Sequence, residues 1–326
     1  MKRTKIFTIL LLIVVIVSLI LTIAIKFNNP FFKNEAPYEL LESFQYHFIA
    51  ILPTKNSFND DLLKVGLNKA STEYNSFTEV YEVETGQEQI ELMEIAIRAK
   101  VDGIIVYPIQ SKNIDKYIEL INVAAEKKIP VITVGYDIPQ SRRFSYIGST
   151  EVSAKTIAYE LLNITKAKGK VAIIITEDDF EYNVMTINAI EEILNSYGDL
   201  SLSVNKIDRN FYTGQTQVKM ILDDSPDLVL NLSPDSVYQV IKTVEESRKD
   251  IPIFVYSDSY DVFNLVANKK INGLFLNKGE YIGYLTIKYL RSKIQEKWVP
   301  ERLDPGLILI NSKNIKNYIN DEEFAK

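Results

Sequence analysis

Two stretches of the chain decide its fold: TGQEQIELMEIAIRAKVDGIIVYP, Thr85–Pro108, and TGQTQVKMILDDSPDLVLNLSP, Thr213–Pro234. Each opens on the same TGQ-x-Q. Each continues with apolar residues at helical spacing and ends in a short apolar run closed by Pro, the pattern of a helix feeding a buried strand. Thr85 and Thr213 are read as N-caps of their helices, since a Thr hydroxyl can accept from the free amides of the first turn.

The surroundings of the two stretches match as well. Before the first lie a strand, HFIAIL, a helix, DLLKVGLNKASTEY, and a strand, FTEVYEVE. After it come a helix, SKNIDKYIELINVAAEKK, and a buried strand, IPVITVGYD. The second is preceded by KVAIII, NVMTINAIEEILNSYG and LSLSVNKID, and followed by DSVYQVIKTVEESRKD and IPIFVYSD. Three pairs of echoes in one order imply a duplicated α/β unit. Strands alternating with helices predict two similar Rossmann-like lobes, each an open parallel sheet flanked by helices. Ligand sites in such sheets lie beyond the carboxyl ends of the strands, so two facing edges form a cleft. Both IP-strands end in Asp, at Asp137 and Asp258.

Composition narrows the chemistry. The 326 residues are 46% hydrophobic and 25% charged, with a net charge of −6, one His and no Cys. The charge offers no basic footprint for nucleic acid. Thiol nucleophiles, disulfides and most zinc sites are excluded. His47 sits inside the first strand without a visible nucleophile or orienting partner, and no GxSxG, GxxxxGK or strand-following GxGxxG occurs. The chain is read as a non-enzyme that needs no cofactor and no metal.

At the N-terminus Lys2, Arg3 and Lys5 precede the uncharged run Ile6–Ile25. At ~1.5 Å per residue it spans a ~30 Å hydrocarbon core, and the flanking charge places the chain beyond Lys26 outside the cell. It is read as one transmembrane helix, an uncleaved anchor; a cleaved signal peptide is the rival. The expected organisation is an anchor over 1–26, a linker over 27–45, lobe one over 46–147 with 278–302, and lobe two over 148–277 with 303–326.

KVDGIIVYP, IPVITVGYDIPQSRRFSYIGSTEVSAK, GKVAIIITE, IPIFVYSD and NKGEYIGYLTIKYL carry a resemblance to the type I periplasmic binding proteins, in their LacI-like sugar-binding branch. It covers roughly Tyr46–Tyr318. A membrane segment in place of a helix-turn-helix resembles the anchored binding proteins of Gram-positive bacteria, including xylose-sensing ones that dock on a sensor kinase. The resemblance implies three hinge crossings, near 147–150, 275–278 and 303–306, and a small polar ligand, a monosaccharide, between the lobes. It implies either delivery to an ABC permease or signalling to a membrane sensor kinase, at the cell membrane with the soluble part extracellular.

The ligand residues it implies are Asn56 (or Ser57) and Phe58 after the first strand, Asp137, Asp258, and Asn277 on the second crossing. Tyr136, Phe180 and Tyr256 are candidates to stack on a pyranose ring. For each Asp the alternative is a turn or helix cap; for the aromatics it is packing. The chain departs from the family pattern at several positions. Gly135-Tyr136 replaces an Asp-Arg pair, Thr186 a second-lobe Arg, Thr150-Glu151 an Asp-Asn, and Ser233-Pro234 an Asn-Asp. These departures motivate a second reading, a non-catalytic docking protein whose pocket has degenerated.

Overall fold

The structure, a computed structural model, describes residues 44–54, 58–109, 114–197 and 199–318, without the side chains of 58, 59, 178, 181 and 182. Tyr46–Lys326 forms one compact unit.

Its first half runs β1 (Tyr46–Pro53), α1 (Phe58–Glu73), β2 (Ser76–Val83), α2 (Gly86–Ala99), β3 (Gly103–Val106), α3 (Ile114–Glu126), β4 (Val131–Val134) and β5 (Ser145–Ile147). Its second half runs α4 (Glu151–Thr165), β6 (Gly169–Thr176), α5 (Glu177–Leu194), β7 (Leu200–Ile207), α6 (Phe211–Asp223), β8 (Leu228–Asn231), α7 (Val237–Ser247), β9 (Ile253–Tyr256), α8 (Tyr260–Ala267) and β10 (Gly273–Asn277). The tail adds α9 (Gly279–Ile294), β11 (Arg302–Leu303) and β12 (Leu307–Asn311).

The strands form two six-stranded sheets, ordered β11-β5-β4-β3-β1-β2 and β12-β10-β9-β8-β6-β7. The first five strands of each half take the same order, so the duplication legible in the sequence is a duplication of topology. β1, β3, β4, β6, β8 and β9 are buried nearly throughout, as strands covered on both faces must be. Among the described residues every pairing is parallel except one. β12 runs antiparallel to β10, with Asn277 opposite Leu307, so the second sheet is mixed. The physical reason is the route of the chain: it leaves the first sheet at β11, enters the second at the hinge end, and can only run back.

The chain passes between the sheets between β5 and α4, between β10 and α9, and between β11 and β12. α9 returns to the first lobe, where Ile282, Leu285, Ile287 and Leu290 join the core of Phe48, Leu52, Leu63 and Leu67. It crosses α1 so closely that a Cβ on Gly66 would lie 1.9 Å from the Glu280 carbonyl oxygen, and one on Gly283 2.1 Å from that of Leu63. Only glycine permits that approach.

The two TGQ-x-Q helices start differently. Thr85 caps α2 with a capping box: its Oγ accepts from the Glu88 amide while the Glu88 carboxylate accepts from the Thr85 amide. Thr213, expected to cap its helix, lies inside α6 instead. Asn210 is the cap, its Oδ1 accepting from the Tyr212 and Thr213 amides at 3.1 and 3.3 Å. Asn is the better capping acceptor and stands earlier in the chain, so the helix begins there.

Among the described residues no helix is long and apolar enough to cross a membrane. The run Ile6–Ile25, and the linker up to position 43, lie outside the described residues.

Candidate functional site

A cavity of about 260 Å³ opens at the carboxyl ends of both sheets, the position that open parallel sheets give to ligands. The first lobe contributes Leu63, Tyr107, Val134, Gly135 and Ile282; the second contributes Asp179, Asn183, Leu232, Pro234, Tyr256, Ser257 and Asp258. Gly148, Ser149 and Asn277 come from the crossings. The volume sits just below the usual range of ~300–1,000 Å³ for small-molecule pockets, which suits a compact solute.

Local sequence explains how the wall is held. Gln89, wholly buried, reaches from α2 to the turn after β3: its Nε2 donates to the Tyr107 carbonyl at 2.8 Å, and its Oε1 accepts from the Ile109 amide at 2.9 Å and from the Tyr117 hydroxyl at 2.5 Å. The last residue of the first TGQ-x-Q is therefore a brace that fixes Tyr107. Gly135 has φ +72°, and a Cβ there would lie 2.4 Å from the Tyr107 ring. Glycine is required both for the backbone and for the ring. In the second lobe, Ser233 Oγ accepts from the Thr176 amide at 2.8 Å and Asn231 Oδ1 from the Ser233 amide at 2.7 Å, all three residues being buried. They fix the turn that presents Pro234.

At the crossings, three polar side chains meet on the cavity wall. The Tyr256 hydroxyl donates to Ser149 Oγ at 3.1 Å, Ser149 Oγ donates to Asn277 Oδ1, and Asn277 Nδ2 approaches the Tyr256 oxygen at 3.4 Å. Burial raises the pKa of the Tyr256 phenol, and the Asp258 carboxylate adds to the rise. Burial likewise pushes the Tyr107 phenol well above the usual tyrosine value, with Asp258 and then Asp60 pushing the same way. Both phenols are therefore neutral hydroxyls at physiological pH. Asp179 accepts from Thr176 Oγ1 at 2.8 Å in the first turn of α5, so the acidic run Glu177–Asp179 begins that helix. This set can hold hydroxyl-bearing ligands by paired donation and acceptance. Among the described residues no group of three or more His, Asp or Glu could hold a metal ion.

Of the residues singled out in the sequence, Asp258, Asn277 and Tyr256 line the cavity. Three others stand off its wall. Asp137 is held by Arg143 through both Nε and Nη2, and by Arg302 Nε at 3.1 Å. The reason is electrostatic: the Arg143 side chain is 2% exposed, and a buried guanidinium needs a counter-charge. The β4 end and β11 are joined by that cluster. Tyr136 packs on the first-lobe core. Phe180 packs on the second-lobe core with the Lys206 ammonium 3.5 Å above its ring. Asn56 and Ser57 lie outside the described residues. Phe58 opens α1, and its side chain is outside them as well.

Sequence reasoning missed Tyr107, Ser149, Asp179, Asn183 and Ser257. The available signal was position: Tyr107, Ser149 and Ser257 follow strands at their carboxyl ends, and Asp179 and Asn183 lie in the first two turns of α5, the helix after β6. Asp304 was missed too. Its carboxylate accepts from the amides of Thr150 and Ser153, both their hydroxyls, and the Gly306 amide. It ties the third crossing to the N-terminus of α4.

A family model described as a periplasmic binding protein domain matches residues 49–297. No curated protein matches the chain. Among solved structures, AraP, an arabinose binding protein from Geobacillus stearothermophilus, is 18% identical. The match covers 84% of this chain and 99% of that one, with a TM-score of 0.74. The sugar-binding protein of a sugar ABC transporter from Bacillus halodurans is 19% identical over 84% of this chain and 100% of that one, TM-score 0.74. A mutant XylFII-LytSN complex contributes a chain 21% identical over 83% and 99%, TM-score 0.69. At these identities the likeness is one of fold.

Proposed function

Since the chain belongs to the periplasmic binding protein domain family, whose members bind without catalysing, we propose that it captures a small polar solute, a monosaccharide, between its lobes. The observation that carries this reading is the cavity at the facing strand ends, where Asp258, Asn277, Ser149 and two neutral phenols converge. A carboxylate that accepts from two adjacent hydroxyls forms charge-assisted bonds, and Asn277 and Ser149 offer the mixed donors and acceptors a sugar ring requires. The arabinose binding of AraP and the D-arabinose held by a solute binding protein from Burkholderia graminis support a sugar. The solute would stabilise the closed arrangement, because only there do both lobes contact it.

The reading extends to placement and output. Ile6–Ile25 would tether the protein to the cell membrane with its lobes outside, and occupancy would be passed to an ABC permease or a membrane sensor kinase. The fold shared with XylFII, found in complex with LytSN, supports a protein partner. Persistence in membranes after a high-salt wash, with the start methionine retained, tests the tether; a soluble form beginning near Ile25 rejects it.

Binding is tested by melting the protein with D-arabinose, D-xylose and D-allose in turn. A solute that binds only the folded state at a hundred times its Kd adds about 2.7 kcal/mol, several degrees for a protein of this size. Asp258→Ala is expected to weaken that solute's binding by roughly tenfold to a hundredfold with little change in the melt of the free protein. If no sugar moves the melt, the docking reading with a degenerate pocket takes its place.

A further inference from the structure

Helix α1 belongs to the first lobe, where Leu63, Leu67 and Ala70 are buried in the core under β1. Its neighbouring residues face the other way. Leu62 packs against the core of the second lobe. The Asp61 carboxylate accepts a hydrogen bond from the Tyr260 hydroxyl at 2.5 Å. Tyr260 opens α8, whose Val262, Phe263 and Val266 are buried in that same second-lobe core. A polar and an apolar contact thus join helices of different sheets without passing through a crossing.

None of Asp61, Leu62 and Tyr260 lines the cavity; they line a groove on the flank of the second crossing, with Lys278 and Gly279. Asp61 is oriented from its own lobe. Lys64 Nζ lies 2.8 Å from its Oδ1 and 2.9 Å from Glu82 Oε1. Burial alone would raise the Asp61 pKa, but the bonds from Lys64 and Tyr260 outweigh it and hold the group ionised.

We propose that Asp61 and Tyr260 form an interlobe clasp: positioning residues that favour the closed lobes and so set the affinity of the cavity without touching its solute. Rotating the lobes apart about the crossings separates α1 from α8, breaks this bond and exposes Leu62. The bond therefore counts in the closed state and not in the open one, which is the condition for shifting a population. For a charge-assisted bond with a half-exposed carboxylate (51%), the shift is about threefold to tenfold in the closed-to-open ratio. Affinity falls by the same factor wherever the open state dominates.

The absence of cysteine makes the test direct. Arg98→Cys on α2 and Met220→Cys on α6 replace exposed side chains, each 65% exposed. Spin labels there report the interlobe distance in the full chain with no sugar added. Tyr260→Phe keeps the ring against the core and removes only the hydroxyl. It is expected to deplete the short-distance population threefold to tenfold, Asp61→Asn to do the same, and the double variant to do no more than either alone. An unchanged distance distribution in Tyr260→Phe, or single effects that multiply independently, overturns the clasp. So does a lowered melt with an unchanged distribution, which would leave the bond as a surface stabiliser. Because the readout is lobe geometry, it stands apart from whether any sugar binds.

Discussion

Replacing Asp304 with Ala removes one carboxylate and five hydrogen bonds at once. Oδ2 accepts from the Thr150 amide at 2.7 Å, Thr150 Oγ1 at 2.8 Å and the Ser153 amide at 2.8 Å. Oδ1 accepts from Ser153 Oγ at 2.6 Å and the Gly306 amide at 2.7 Å. Two of the donors are amides at the start of α4, which have no partner within the helix, and Ser153 is buried. A hydrogen bond to a charged group contributes ~1.5–3 kcal/mol, but bonds sharing one acceptor are not additive. Thr150 keeps its own cap on the Val152 amide at 3.3 Å, and water can reach part of the vacated site. Weighing these, we expect a loss of about 3 kcal/mol. Asp304→Asn should lose nearly as much, since its amide must point a donor at one of the same donors. At ~2 °C per kcal/mol for a unit of this size, the melt falls by about 6 °C. Urea unfolding followed by circular dichroism gives the free energy independently. A loss below about 1 kcal/mol would mean the opposite: solvent satisfies the helix start, and the third crossing is not anchored there.

Gly283→Ala gains ~1 kcal/mol of helix propensity but drives a methyl into the Leu63 carbonyl, 2.1 Å away. Overpacking against unyielding backbone should prevail, with a net loss of about 2 kcal/mol by chemical denaturation. Thr85→Ala and Asn210→Ala should each cost ~1 kcal/mol as lost caps, whereas Thr213→Ala, exposed and inside α6, should change stability by less than ~0.5 kcal/mol. Equal losses at Thr85 and Thr213 would restore the symmetric reading. Glu79 is held below the usual carboxylate range chiefly by its bond to His47, against burial and helped by Tyr81. A depressed folded-state pKa means stability that is full above the unfolded value of ~4.3 and lost as pH falls through the folded one. Glu79→Gln should therefore flatten that acid limb in melts taken from about pH 6 downwards, and an unaltered limb would count against the assignment.

The lobes were legible because periodicity is local. Whether IPVITVGYD and IPIFVYSD are buried strands, and whether residues 86–99 form a helix, is settled by which side chains must leave water at what spacing. β12 escaped because its five residues carry no alternation of their own, and their place is fixed by partnership with β10. The candidate site was legible in part. Asp258 and Asn277 stand at strand ends, the edge of the sheet that meets the cleft. Tyr107 and Ser149 stand in equivalent positions, but nothing local distinguishes them from other loop residues.

The matched strand-ending Asp residues mark the boundary between the two kinds of information. By sequence Asp137 and Asp258 are twins, each closing an IP-strand. In three dimensions Asp137 neutralises Arg143, a near neighbour in the chain, and Arg302, on a hinge strand close to its far end, while Asp258 faces the cavity. Two α/β units, their order and the absence of thiol chemistry can be read along the chain, because burial and composition are properties of short segments. Tertiary structure alone decided which carboxylate is consumed by an ion pair and which faces the cleft. That choice depends on charges that the fold brings together, and no spacing along the chain encodes their distance.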